Sequence, residues 1–410
     1  MNSRHFKWFV IGTILLSLTS ACSTSPAPIN PGDLSAEMAA PTDKQSQAVS
    51  SFGEKLFGQI ASGGETNPVI SPLSIFYALG MAGDGAAAET AAAFEKVFGM
   101  SAEQARRVAG YLLADFATPG DGTVLTAANS VWLDNGFPAK QEWVDRLTAY
   151  YQAEVFQTSL SDSATATALN SWISEKTNKL IPTMLDRIDP GAMALLVNAL
   201  YMKAAWQEPF NTDKTYEGQF WTADGDAVEA VYMSADFDTR QYFNTDDAEG
   251  VVIPYQDGRL AFVAALPKQG SFSLDGQTIS GLLAAATSRD EVSFYMPKFE
   301  TEFGADLVDA LSALGLGVAF TEAADFSGIS DTSLLISQVA HKVNMAVGEK
   351  GTEAAAATVV IMVTSAPMID NPIVVEFNRP YLYAVVDQVT GLPLFIGMMD
   401  DPAQAPPAVK

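Results

Sequence analysis

The stretch Glu349-Lys-Gly-Thr-Glu-Ala-Ala-Ala-Ala-Thr358, continued by Val-Val-Ile-Met-Val-Thr-Ser-Ala-Pro-Met-Ile-Asp-Asn-Pro372, decides how the rest of the chain is read. At a period of two, Thr352, Ala354, Ala356 and Thr358 fall on one face and Glu353, Ala355 and Ala357 on the other. The first face is small and uncharged, suited to sliding beneath a packed layer. Local propensity alone favours an alanine helix here. Such a helix has no apolar stripe at i, i+3, i+4 and would have little to bury. A segment able to be loop, helix or buried strand is what a conformational switch needs.

Outward from this stretch, the chain alternates helix and strand signals with no second linker and no internal repeat. Val49, Phe52, Leu56 and Ile60 have helical spacing. Ser71-Pro72 sets an N-cap and a proline at the first helical position, opening a helix over 73–81. Further helices are expected over 86–98 (stopped by Gly99), 101–116, 138–150, 164–180 and 303–314. Strands are expected over 123–133, 192–205, 292–299, 334–347, 374–377, 381–386 and 394–399. A hairpin over 251–266 turns at Asp257-Gly258. Helices dominate the first part and strands the last, a mixed α+β chain.

Composition removes several function classes. The 48 Asp+Glu against 23 Lys+Arg give a formal charge of −25, which argues against a nucleic-acid or heparin partner. One Cys excludes an internal disulfide framework and a Cys-rich zinc site. Asp246-Asp247-Glu249 and Asp400-Asp401 lack the ligand spacing of a known cation loop and read as solvated, so no metal or cofactor is expected. Of the two His, His5 lies at the extreme N-terminus, so a His-dependent hydrolase would have only His341. Gly-x-Ser-x-Gly is absent. His341 is expected to be structural.

Residues 1–21 read as a signal peptide, with Arg4 and Lys7 before the apolar run Trp8 to Leu18, too short to span a bilayer. Leu18-Thr19-Ser20-Ala21-Cys22 resembles a bacterial lipobox, with Thr19 where Leu is usual. Lipidated Cys22 would be the only link to a membrane. The protein is then expected to be exported, either anchored on the cell envelope or secreted. Residues 22–43 read as a flexible tether, 44–402 as one domain and 403–410 as a tail.

Motifs in order carry a resemblance. Asn67-Pro-Val-Ile-Ser71-Pro72-Leu-Ser74-Ile-Phe-Tyr-Ala-Leu and Val197-Asn198-Ala-Leu-Tyr-Met-Lys203 with Trp206 come first. They are followed by Pro297-Lys298-Phe299, Ala324-Asp325-Phe326-Ser327-Gly328 and His341-Lys342. Glu349 to Thr358, Phe377-Asn378-Arg379-Pro380-Tyr381 and Gly391-Leu-Pro-Leu-Phe-Ile-Gly397 complete the set. Over roughly 45–402 the chain resembles the serpins, with Ala204 where Gly is usual after Lys203. The resemblance implies a serpin fold of about eight to nine helices around three β-sheets, with residues 349–372 as an exposed reactive loop on a metastable body. It implies a suicide-substrate inhibitor of serine proteases that is not itself an enzyme. The acyl-enzyme is trapped when the loop inserts into the central sheet, and the protein is expected to be a monomer apart from that covalent complex.

The resemblance also gives the residues roles. Glu349 and Gly351 form the hinge, with Thr352, Ala354, Ala356 and Thr358 buried on insertion. Glu349 pairs with Lys298, Trp206 stands behind the insertion point, and Ser71, Ser74, Asn198 and His341 cluster beneath the sheet. Between Gly351 and Asn378 there is no Lys or Arg and no aromatic except Phe377, which suits elastase- or subtilisin-like pockets rather than trypsin. A chymotrypsin-like pocket finds only Met362 or Met368. Counting the usual loop length forward from Glu349 puts the cut at Ser365, before Ala366, with Thr364 next. Counting back from Phe377 gives Ile369. The alternatives are a non-inhibitory serpin that is merely cleaved, or an unrelated lipoprotein binding module.

Overall fold

The computed structural model describes residues 38–404 apart from 119, 190, 271, 273, 275 and 353–371. Its helices are α1 Asp43–Ala61, α2 Pro72–Gly83, α3 Ala88–Phe98, α4 Ala102–Phe116, α5 Gln141–Tyr151, α6 Ser163–Lys176, α7 Thr278–Ala285 and α8 Val308–Leu311. Its strands are β1 Val69–Ile70, β2 Thr123–Asp134, β3 Glu154–Thr158, β4 Ala194–Ala205, β5 Tyr216–Trp221, β6 Ala227–Asn244, β7 Ala248–Pro254, β8 Leu260–Pro267, β9 Thr287–Pro297, β10 Phe299–Asp306, β11 Ala340–Gly348, β12 Gly351–Thr352, β13 Ile373–Glu376, β14 Tyr381–Asp387 and β15 Pro393–Met399.

The early helices start and stop where local chemistry dictates. Thr42 and Gln45 form a capping box on α1, and Ser101 and Gln104 form one on α4. Ser71 caps α2 at its proline start, and Gly99 ends α3 at φ +66°. Val49, Phe52, Leu56 and Ile60 are all buried. The expected tether boundary at 43 falls on the first residue of α1. No helix among the described residues is long and apolar enough to cross a membrane.

Hydrogen bonding joins the strands into two networks. One runs β10-β11-β12-β4-β2-β3; the other runs β1-β15-β14-β8-β7-β6-β9-β13, with β5 beside β6. The second holds the material of two expected sheets, continuous because β6 runs 18 residues and bulges between Ala235 and Arg240. Its strands β8 and β14 are buried along their whole length. Helix α2 packs across β4 and β15 and so ties the two sheets into one core.

Several boundaries depart from expectation. The helix expected over 303–314 is β10 as far as Asp306, with Phe303 opposite Val343, and only Val308–Leu311 is α-helical. Phe299, Thr301 and Phe303 are buried at alternate positions, a period of two that a helical reading of 303–314 passes over. The strand expected over 334–347 begins only at Ala340, and the helix expected to Leu180 ends at Lys176. β1, β3, β5, β6 and α7 lie in stretches given no element in the sequence reading.

Candidate functional site: an opening between two strands

β11 ends at Gly348, the chain turns through Glu349 and Lys350, and it returns as β12. Gly351 registers with Gly348 on one side and Ala205 on the other; Thr352 registers with Val347 and Ala204. Gly351 has φ +149°, and a Cβ there would lie 2.0 Å from the carbonyl oxygen of Ala204. Both facts require glycine.

Trp206 organises this turn. Its indole Nε1–H donates to the Gly348 carbonyl at 2.8 Å, and its backbone N–H donates to Lys350 at 3.0 Å. The Phe210 N–H takes the Glu349 carbonyl at 2.8 Å. The Trp206 ring stacks on Tyr255, with centroids 4.6 Å apart and planes 12° apart. The Tyr255 and Thr352 hydroxyls lie 2.6 Å apart in a buried contact, and burial pushes the Tyr255 phenol well up, so it stays protonated.

Glu349 Oε1 accepts from Lys298 Nζ at 3.2 Å and from Thr215 Oγ1 at 3.0 Å. Burial disfavours its charge. Hydrogen bonds from its own backbone N–H, Thr215 and Lys298 outweigh that and hold the carboxyl below its usual range.

Beneath Thr352, no register joins β4 directly to β11 among the described residues. A narrow cavity lies between them, lined by Leu200 and Met202 on β4 and by Asn344 and Met345 on β11. Thr177 and Ile181, from the segment after α6, also line it, with Thr352 and Phe395. Among the described residues, the buried Asn344 Oδ1 has no hydrogen-bond partner. Lys342 ties the same segment to the sheet, donating to the Thr183 carbonyl at 3.1 Å and pairing with Glu302 at 2.7 Å.

Lower in the opening, the Ser71 N–H donates to His341 Nε2 at 3.0 Å, and the Ser74 N–H to Ser71 Oγ at 3.2 Å. Burial pushes the His341 imidazole down to about 4, so Nε2 is a neutral acceptor at neutral pH. Asn198 does not join this group. Its Nδ2 donates to Asn129 Oδ1 at 2.8 Å and to the Ala128 carbonyl at 3.3 Å, and among the described residues its own buried Oδ1 has no partner. Of the four residues expected to cluster, Ser71, Ser74 and His341 are joined and Asn198 is not, because Asn198 and Asn129 stand opposite each other in the β4–β2 register. Asn129, Thr215, Phe210 and Tyr255 escaped the sequence reading. Only Asn129 left a signal, a polar residue on the buried part of an expected strand.

Ala354, Ala356, Thr358, Thr364, Ser365, Ala366, Met368, Ile369 and Cys22 lie outside the described residues.

The family described as Serpin (serine protease inhibitor) matches residues 47–402. An uncharacterized serpin-like protein of Thermococcus kodakarensis is 31% identical over 367 residues, 87% of this chain and 85% of its own length. The crystal structure of tengpin, a thermophilic serpin, in its native state superposes with a TM-score of 0.82 at 30% identity, covering 92% of this chain and 100% of that one. Tengpin in its latent state gives 0.75 at 28% identity, covering 88% and 98%. The ordered motifs, the turn held by Trp206 at the mouth of the opening and these matches agree: the chain belongs to the serpin family.

Proposed function

We propose that the protein is a suicide-substrate inhibitor of serine proteases with small or aliphatic specificity, exported to the cell envelope or beyond, with Cys22 as the lipid-bearing anchor. The observation that carries this reading is β12. Two hinge residues already stand as a strand between β4 and β11, and below them the two edges share no register among the described residues. An edge of unpaired backbone groups is a template for an added strand. Carrying the same register six residues beyond Thr352 sets Thr358 between His341 and Asn198 in the inserted product. Ala354 and Ala356 then fall on the core side with the buried Met345, Met202, Val343 and Leu200.

In this mechanism the serine hydroxyl of the protease attacks a carbonyl between Thr364 and Ile369. The peptide bond breaks, the new amino terminus leaves with a proton, and an ester joins the two proteins. Insertion of about 15 residues at about 3.3 Å each then carries the ester roughly 50 Å down the sheet. Each new ladder bond contributes about 1 kcal/mol and every buried small side chain adds to it. Those bonds and that burial are not yet made in the uncut state, which persists for kinetic reasons. The greater likeness to native than to latent tengpin supports an uninserted starting state.

The test is incubation with an elastase, subtilisin and trypsin, followed by denaturing electrophoresis and mass spectrometry of the released peptide. An adduct with the first two and none with trypsin is expected. Cleavage with full release of active protease would mark a non-inhibitory serpin.

A further inference from the structure

Asn135-Gly136 makes the turn that leaves β2 for α5, and it is the only Asn-Gly step in the sequence. Both residues are exposed. The Asn135 main-chain carbonyl accepts from Gln157 Nε2 at 3.2 Å, while its side-chain amide has no partner among the described residues. Other asparagines are held. Asn129 is buried and donates to the Tyr151 carbonyl at 2.7 Å, and Asn170 binds Met184 and Leu185 through three hydrogen bonds. Each of those two is followed by a serine rather than a glycine.

Nothing in the fold demands glycine at 136. A Cβ there would meet only Asp134 Oδ1 at 3.7 Å, and its φ lies outside the left-handed region. What the missing side chain provides is an open approach of the Gly136 nitrogen to the Asn135 Cγ. That nitrogen donates to Asp134 Oδ1 at 3.1 Å. One solvent-exposed bond of this kind slows the release of the nitrogen without preventing it.

We propose that Asn135 is a self-modifying site, which passes through a cyclic imide to aspartate and isoaspartate and thereby loosens the corner between β2 and α5. The Gly136 nitrogen bonds to the Asn135 Cγ and the Cγ–Nδ2 bond breaks. The side-chain nitrogen leaves as ammonia, carrying the proton given up by Gly136. Water then opens the ring. Addition at Cγ restores the main chain with an aspartate; addition at the main-chain carbonyl leaves isoaspartate, whose main chain is one carbon longer. No oxidant or cofactor enters. The corner is sensitive to this change. The Phe137 N–H donates to the Asp134 carbonyl at 3.0 Å, the Asp134 N–H to the Met193 carbonyl at 3.0 Å and the Leu160 N–H to Asp134 Oδ2 at 3.1 Å. A longer chain before Phe137 displaces the first of these bonds, and a new carboxylate beside Asp134 repels the charge already there. Leu133 registers with Ala194, at the end of β4 away from Ala204 and β12, so the modification is chemically separate from the hinge.

The experiment incubates the full chain at neutral and mildly alkaline pH beside a free synthetic peptide of residues 131–140. Mass spectrometry follows the peptide spanning residue 135, and enzymatic carboxyl methylation reads isoaspartate. A gain of about 1 Da at Asn135 is expected, faster at the higher pH because the attacking nitrogen must lose its proton. Gly136→Ala, which the turn accommodates, should slow the gain about tenfold by crowding the approach. The converted chain, separated by ion exchange, should melt below the unconverted one. Four results would each overturn the proposal: no gain in the folded chain once the free peptide has converted, an equal rate in Gly136→Ala, an equal rate at Asn129 or Asn170, or a converted chain with an unchanged melting temperature.

Discussion

Tyr255 and Thr352, 97 residues apart in the chain, meet through their hydroxyls at 2.6 Å beneath the ring of Trp206. This contact fixes the first residue of the small-residue face inside the sheet while leaving the strand edges beneath it without a direct register among the described residues. Removing either hydroxyl leaves the other buried without its partner. Tyr255→Phe and Thr352→Val are each expected to destabilise the molecule by about 1–2 kcal/mol, and the double variant by less than the sum. Thermal denaturation of all four proteins reads the coupling; strict additivity would show that the contact holds nothing.

Gly351→Ala sets a Cβ against the Ala204 carbonyl and forces alanine into a backbone region it rarely adopts. We expect a loss of roughly 1–3 kcal/mol and displacement of β12 from β4. In inhibition assays the fraction cleaved without an adduct should rise. An unchanged melting curve and an unchanged adduct yield would contradict this account of the hinge.

A charge on the inserting face separates cleavage from trapping. Thr358→Arg leaves the candidate bonds intact but requires an arginine to enter between His341 and Asn198, at a cost of several kcal/mol. The variant should be cut by an elastase at the wild-type rate and release the enzyme active. Retention of the wild-type adduct yield would show that residue 358 does not go into the sheet.

His341 predicts an acid-sensitive window. Its folded-state value of about 4 lies below the ordinary 6.5, so the unfolded chain binds a proton that the folded chain refuses. The stabilisation is complete above pH 6.5 and is lost as pH falls toward 4, up to about 3 kcal/mol. His341→Gln keeps an acceptor for the Ser71 N–H and removes the titration. Its melting temperature should fall less than that of the wild type between pH 6.5 and 4.5, and parallel curves would refute the assignment.

Lys298 sits 41% exposed at the side-chain level beside Glu349, so their ion pair is screened by solvent. Lys298→Ala is expected to lower stability by less than about 1 kcal/mol, because Thr215 still donates to the carboxylate. A larger loss in urea unfolding would mean that the pair matters more than its exposure allows.

Some of this molecule was written locally. The capping residues Thr42, Ser71 and Ser101, the stop at Gly99 and the hairpin turn at Asp257-Gly258 act within a few residues, so their elements lie where the sequence places them. β10 and β6 were not legible in this way. The alternation around Phe299–Phe303 is short and competes with a helical reading, and β6 changes partners along its length through its bulges. Glu349 beside Lys298 followed from family position, but its second donor, Thr215, followed from nothing in the chain order.

By itself the sequence determined that residues 352–358 present a small, uncharged face at a period of two, and that ordered motifs surround it, because side-chain size and spacing are properties of the chain. Only the tertiary structure decided that Gly351 and Thr352 enter between β4 and β11, that Tyr255 receives Thr352, and that Asn198 turns to Asn129 rather than to His341. Those outcomes depend on which strands lie side by side and in what register, and register is set by packing between segments far apart in the chain.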